Sequence, residues 1–259
     1  MILVMVGLLY TVPICARDLS GKTIYICDDG GEWPPYTFYE RTPSGDSTKT
    51  ITGFSVDLIQ KILGPRGISF KLELVPWKRC LKGVKNGRPF HMALNASFSR
   101  KRAQEYYLTR PYYHTTNYYF YSNRIHPEGL GITSVDDLHQ HRVCGLLGYN
   151  YETYGFKEGN MDQGAKSFPA LISKLHENRC TLFLEKYEIL SGFTTIGRPL
   201  LSDPDLSRQP VPGMKRTRFH MLISKKIPFG KDLAELIDKS IEEMTASGEL
   251  NRMLKTYIP

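Results

Sequence analysis

From Lys22 to the C-terminus, short β-branched or aromatic runs alternate with amphipathic helical runs. Such alternation restricts a chain to an α/β architecture with mostly parallel sheets flanked by helices. "KTIYICDD" (22–29) reads as a first strand, and "GEWPPYTFYE" follows as a turn-rich aromatic loop. "RTPSGDSTKTITG" reads as a hairpin or surface loop. "FSVDLIQKILGPRG" has apolar residues at helical spacing and stops at Gly64-Pro65. "ISFKLELVPW" is a second strand, "KRCLKGVKNG" a short helix ending on Gly87, and "FHMALNAS" a buried strand. Beyond "HTTNYYFYSN", rich in β formers, "SVDDLHQHR" reads as a helix with Ser134 as N-cap and Asp137 three residues on. "VCGLLGYN" is a strand ending in a Gly turn, where "YETYGFKEG" starts a helix. "SFPALISKLHENRC" is a helix, "TLFLEKYEIL" a strand leading into a helix, and "RTRFHMLISKK" a strand. The last 27 or so residues form two helices broken at Ser247-Gly248. Two crossing segments, near "YYHTTN" (112–117) and "RQPVPGM" (208–214), divide the chain. They give a discontinuous lobe 1 (17–114 plus 210–259) and a continuous lobe 2 (115–209), joined by a two-strand hinge.

The first sixteen residues, "MILVMVGLLYTVPICA", are almost wholly apolar. Their length fits a secretory signal peptide cleaved after Ala16, although the usual cationic start is missing. Export to the periplasm is therefore expected, and "VPI" before Cys15 argues against a lipid anchor. Cleavage leaves Cys27, Cys80, Cys144 and Cys180, an even number that permits two disulfides in an oxidising compartment or four buried thiols. No CxxC spacing occurs and no His joins a Cys at ligand spacing, so neither metal nor cofactor is expected. A net charge of +8 favours anionic partners in a general way. Without a Lys/Arg run or a zinc-finger spacing it does not indicate nucleic acid.

"SFSRKRAQEYYLTRPYY" (97–113) crowds cations and aromatic rings together, and its neighbours suggest why. "WPPYTF" (33–38), "GFSVDLI" (53–59), "VPWKRCLKGVKNG" (75–87), "ASFSRKRAQEYYLTRPYY", "VCGLLGYNYETY" and the closing "LISKKIPFGKDLAELIDKSIEEMTASGELNRMLKTY" follow one another in a familiar order. Together they resemble the extracellular solute-binding proteins of family 3, the two-lobed type II periplasmic binding proteins that mostly serve amino-acid uptake. The likeness runs from about residue 22 to the C-terminus.

The resemblance implies that Arg102 binds a ligand carboxylate. A guanidinium offers a rigid fork that pairs bidentately with a planar carboxylate, so the residue type suits the task. Ser97, Ser99 and Asn95 lie upstream as polar contacts, while Arg100, Lys101 and Arg110 read as solvated. Trp33 and Trp77 fall at aromatic-wall positions, with Tyr36 close by as a further ligand contact; rings there supply apolar contact or hold a cation. Gly148, Tyr149 and Asn150 occupy the turn where the family has Gly-Thr-Thr, with Tyr149 bulkier than the usual Thr. Family members place an Asp after the strand corresponding to "CTLFLEK" to hold the ligand's ammonium. Here either Glu185 or Lys186 takes that place, the first preserving an ammonium site and the second making the cleft doubly cationic. Two further acidic positions of the family are replaced, by Phe90-His91 and Thr181.

The function so implied is capture of a small carboxylate-bearing metabolite, an amino acid or related acid, in an interlobe cleft that closes around it. The captured ligand serves uptake through a membrane permease or sensing by a partner, and the protein acts as a monomer. An enzyme on the same fold, of the cyclohexadienyl dehydratase kind, would need a general acid such as Glu185, Glu32 or His114. No nucleophile elbow, P-loop or HExxH motif supports one. A binding protein with a vestigial cleft is the third reading.

Overall fold

The computed structural model describes residues 18–157 and 159–258. The expected signal peptide (1–16) lies outside the described residues.

Strand β1 (Thr23–Asp29) leads through the aromatic loop to a hairpin, β2 (Phe38–Arg41) and β3 (Ser47–Thr52). Helix α1 (Phe54–Leu63) follows and buries Phe54, Leu58, Ile59 and Ile62, one face at helical spacing. Its entry needs Gly53, which sits at φ 121°, and a Cβ there would lie 2.4 Å from the Tyr36 carbonyl oxygen. Next come β4 (Ser69–Val75), α2 (Trp77–Asn86) and β5 (Met92–Ser97). Helix α2 stops at Gly87 in the left-handed region, φ 73°. It turns Trp77, Cys80 and Val84 inward. The short helix α3 (Arg100–Glu105) then precedes β6 (Tyr106–Leu108) and β7 (Tyr113–Thr115).

The chain passes to a second sheet at Thr116. Strands β8 (Asn117–Ser122), β9 (Val143–Leu146) and β10 (Asp162–Ala165) are followed by α4 (Phe168–His176), β11 (Leu182–Lys186), α5 (Tyr187–Gly192) and β12 (Leu206–Pro210). It returns through residues 211–216 to β13 (Thr217–Ser224) of the first sheet and ends in α6 (Gly230–Ala246) and α7 (Glu249–Lys255). Gly248, at φ 71°, makes the break between these last helices.

The first sheet has the order β4-β1-β5-β13-β6, with β7 also paired to β13; the second has the order β10-β9-β11-β8-β12. In the first, β4, β1 and β5 are parallel and β13 is antiparallel. In the second, β10, β9 and β11 are parallel and β8 is antiparallel to β11 and β12. Each sheet is thus parallel on one side and turns antiparallel at the strands next to the crossings. The parallel strands of both sheets aim their carboxyl ends at the space between the lobes. In open α/β sheets that is where ligands bind.

Two expected helices are single 3₁₀ turns. At Asp136–Gln140 the capping pattern is present, since Ser134 Oγ accepts from Asp137 N–H (3.3 Å) and the Asp137 carboxylate accepts from Thr133 and Ser134 N–H. The chain nevertheless leaves the turn at His141 to enter β9. At Glu152–Tyr154, burial of Tyr151 and Tyr154 holds the segment against the sheet instead of letting it propagate. Strand β10, absent from the sequence reading, is a four-residue edge segment with one buried residue. Among the described residues, no helix is long and apolar enough to cross a membrane.

All four cysteines expected in the mature chain are bonded. Cys27 of β1 is joined to Cys80 of α2, and Cys144 of β9 to Cys180 just before β11.

Candidate functional site

A cavity between the lobes is lined by Asp28, Asp29, Trp33, Trp77, Asn95, Ser97 and Arg102 of the first lobe with Phe219 of β13. Tyr149, Asn150, Tyr151, Leu184, Glu185 and Lys186 close it from the second. The volume open to the centres of water-sized molecules is about 40 Å³. That is roughly three water positions, the scale of a small polar molecule.

Arg102 is 8% exposed and lies in α3, whose N-cap Ser99 accepts from Arg102 N–H at 3.1 Å. Its Nη1 donates to the Ser97 carbonyl (2.8 Å) and to Ser97 Oγ (3.1 Å), and the guanidinium lies 5.6 Å over the Trp77 ring. Among the described residues no carboxylate lies within ion-pair distance of it. Burial lowers its pKa to about 10, so it stays charged at neutral pH. A buried cation held only by neutral acceptors favours the arrival of an anion.

The opposing carboxylate is Glu185. It is 3% exposed; Oε1 accepts from the Lys186 backbone N–H (2.8 Å), and Oε2 has no hydrogen-bond partner. Burial raises its pKa to about 7, against the opposing pull of Lys186. Lys186 also lines the cavity, but its Nζ is already held by Asn117 Oδ1 and Tyr154 Oη, both at 2.7 Å, with the Tyr154 ring at 4.6 Å. Asn117 Oδ1 also accepts from Thr217 Oγ1 (2.8 Å), and Asn117 Nδ2 donates to the Lys215 carbonyl. Lys186 therefore sits on the node that ties the two crossing segments together.

The other expected residues divide into walls and braces. Trp33 and Trp77 line the cavity, and Trp33 Nε1 donates to Tyr113 Oη at 3.0 Å. Asn95 reaches the wall with φ 52°, a conformation asparagine tolerates better than most residues. Its Oδ1 accepts from Ser55, Tyr112 and Tyr113 hydroxyls, and its Nδ2 donates to Asp28 and Thr37, so its amide braces the first lobe. Asn150 Nδ2 crosses the cleft to the Phe98 carbonyl (2.7 Å) and Ser97 Oγ (3.1 Å). Tyr149 Oη donates across it to Asp29 Oδ2 at 2.6 Å. Tyr36 is corrected: it is not in the cavity wall. It is fully buried, stacked on Tyr113 at 3.8 Å, behind the layer that Trp33 forms.

Asp28, Asp29, Tyr151, Leu184 and Phe219 are wall residues the sequence reading missed. The signal for the first two was two consecutive carboxylates at the carboxyl end of the first parallel strand, just before Gly30-Gly31. Asp28 is 1% exposed, and burial raises its pKa to about 7. Of the acids weighed for an enzyme, Glu32 lies outside the cavity, where both its carboxylate oxygens accept from Arg41 Nη2 (3.0 and 2.8 Å), and His114 is exposed on β7. Outside the cavity, a groove of about 460 Å³ shares Arg102, Tyr149, Asn150 and Tyr151 with it and carries Lys78, Lys82, Lys85 and Lys157.

The lobes also meet near the crossings. Gly192, the last residue of α5, packs on the first lobe: a Cβ there would lie 2.4 Å from the Pro34 carbonyl oxygen and 2.9 Å from Pro35 Cδ. Its φ of −60° suits any residue. Gly192→Ala is therefore expected to leave the second lobe's own stability intact, or to raise it slightly through helix propensity. The same change wedges the lobes apart. Small-angle scattering should show a larger radius of gyration, and ligand affinity should fall about tenfold or more as the closed state becomes rarer.

Two α/β lobes, two crossings and a cavity with charged walls at the strand ends define a two-lobed ligand-binding protein. Residues 26–259 match the model of the bacterial extracellular solute-binding proteins, family 3. The chain belongs to that family. It is 23% identical over 210 residues to a probable histidine-binding protein of Campylobacter jejuni, covering 80% of this chain and 77% of that one. Its fold is shared with an amino acid ABC transporter substrate-binding protein of Streptococcus pneumoniae bound to L-arginine (TM-score 0.69, 20% identity, 91% and 94% of the two chains). It is shared equally with a histidine kinase sensor domain similar to periplasmic binding proteins (TM-score 0.69, 19% identity, 93% and 97%).

Proposed function

We propose that this solute-binding protein captures an α-amino acid, with the carboxylate on Arg102 and the ammonium on Glu185. The observation that carries the reading is that a buried guanidinium with no carboxylate in ion-pair range among the described residues and a buried carboxylate oxygen with no hydrogen-bond partner line the same small space. A zwitterion supplies both missing charges at once, and each pair gains from desolvation. Lys186 is a second cation, but its bonds to Asn117 and Tyr154 direct it to the crossings, which favours one carboxylate site over two. The ligand bridges both lobes, so its greater affinity for the closed state drives closure about the two crossings. Non-catalytic capture fits a cavity in which Asp28 braces the first lobe through Asn95 and Glu185 faces the ligand's ammonium. A permease or a sensor partner would then read the closed shape on the outer side of the membrane, with the protein exported by its apolar leader and acting as a monomer.

Binding of an ammonium requires ionised Glu185, whose pKa is raised to about 7 in the free protein. An acid with a raised folded pKa carries its proton below that value and must release it to bind. Affinity for a zwitterionic amino acid is thus expected to rise between pH 5.5 and 8, up to about tenfold per unit on the acid side. Titration calorimetry in buffers of different ionisation enthalpy should detect a proton released per ligand at pH 6. Flat affinity over this range would remove Glu185 from the ammonium site. A thermal-shift panel of amino acids, dicarboxylates and polyamines tests the reading itself, since a bound ligand raises the melting temperature by mass action. Stabilisation by dicarboxylates alone would favour a doubly cationic cleft, and no shift with any compound a vestigial one.

A further inference from the structure

We infer that Tyr149 sets the ligand's size and charge class by occupying Asp29, the carboxylate that a cationic side chain would otherwise take. The inference rests on the amino-acid reading and goes beyond it to the side chain admitted.

The cavity holds more acid than a neutral zwitterion needs. Asp28 is bonded to Asn95 Nδ2, and its Oδ1 accepts from Asp29 N–H at 2.9 Å. Glu185 has the open oxygen assigned to the ammonium. Asp29 remains: Oδ1 accepts from Gly31 N–H at 2.9 Å, and Oδ2 accepts from Tyr149 Oη at 2.6 Å. A short hydroxyl bond to a carboxylate is among the stronger neutral-to-charged contacts. It still leaves the charge of Asp29 without a cation in ion-pair range among the described residues.

The position of Tyr149 is fixed from behind. Gly148 precedes it at φ 84°, and a Cβ there would lie 2.7 Å from Lys78 Cγ across the cleft. Gln163 Nε2 holds the Tyr149 carbonyl at 3.2 Å, and the Trp33 ring meets the Tyr149 ring edge-on at 5.6 Å. The phenol therefore fills the space beside Asp29 and satisfies one of its oxygens. What is left suits a small uncharged side chain. With a short residue at 149, the same space ends on an anion that has lost its donor, and a guanidinium or ammonium becomes its natural partner.

The test is titration calorimetry of the wild type, Tyr149→Ala and Tyr149→Thr against alanine, serine, lysine and arginine; using two truncations keeps the result from depending on the folding of either. The wild type is expected to bind alanine or serine at least tenfold more tightly than arginine. Either truncation should invert that order, with arginine gaining at least tenfold relative to alanine. Adding Asp29→Asn to the truncated protein should cancel the gain, which a merely looser pocket would not predict. Arginine binding to the wild type as tight as alanine binding overturns the inference while leaving the amino-acid reading standing. So does an equal loss for both ligands on truncation, or a gain that survives Asp29→Asn. Absence of binding by any of the four amino acids to any of the proteins overturns both.

Discussion

Replacing Arg102 by alanine is expected to abolish measurable ligand binding while leaving the fold in place. Truncating one partner of a buried, hydrogen-bonded charge pair costs about 2–5 kcal/mol of binding, roughly 30- to 5,000-fold. In the ligand-free protein the same change removes two bonds to Ser97 but also removes a buried cation that has no carboxylate beside it. These effects oppose one another, so the melting temperature of the free protein should move far less than the affinity. Arg102→Lys keeps the charge but loses the planar fork and its stacking on Trp77, and should recover only part of the binding. Calorimetry beside circular-dichroism melting separates the two quantities. Parallel loss of fold and affinity in Arg102→Ala would make the residue a structural support instead of a clamp.

Loss of the Cys27–Cys80 bond should have the largest effect on stability. It closes a loop of 53 residues in sequence, and the chain-entropy argument puts its contribution at about 4 kcal/mol. For a chain of this size that corresponds to roughly 8–16 °C in melting temperature. The Cys27→Ser, Cys80→Ser double variant is the measurement, with thiol reductant on the wild type as a check. The bond also fixes the site: Cys27 precedes Asp28 and Asp29, and Cys80 lies one helical turn beyond Trp77. Weaker binding is therefore expected even at temperatures where the variant is folded. Unchanged melting after confirmed reduction would show that packing around Val75, Val84 and Phe90, all buried in one cluster with Cys27 and Cys80, holds α2 to the sheet unaided.

The order of elements was largely legible because it depends on local pattern. Gly53, Gly87 and Gly248 punctuate helices through positive φ, which sequence shows directly. Arg102 was singled out among the cations of 97–113 by the order of motifs that carries the family resemblance, and the structure places it in the cavity wall. The rest depends on what the second lobe brings. Whether Glu185 or Lys186 met the cavity could not be read from alternation, because both reach it at the end of β11. Their difference lies in Asn117 and Tyr154, 69 and 32 residues away in sequence, which hold one and not the other. Tyr36 shows the opposite error: its motif placed it close to the wall as a ligand contact, but the stack with Tyr113 put it one layer behind. Asp29 was missed because its role comes from Tyr149, 120 residues distant.

The most direct test is a crystal structure of the wild-type protein grown with the amino acid that stabilises it most. The expected map places the ligand carboxylate within hydrogen-bond reach of the Arg102 guanidinium and its ammonium on Glu185 Oε2, with Lys186 still on Asn117. A ligand whose carboxylate lies elsewhere, with Arg102 touching only Ser97, would contradict the account.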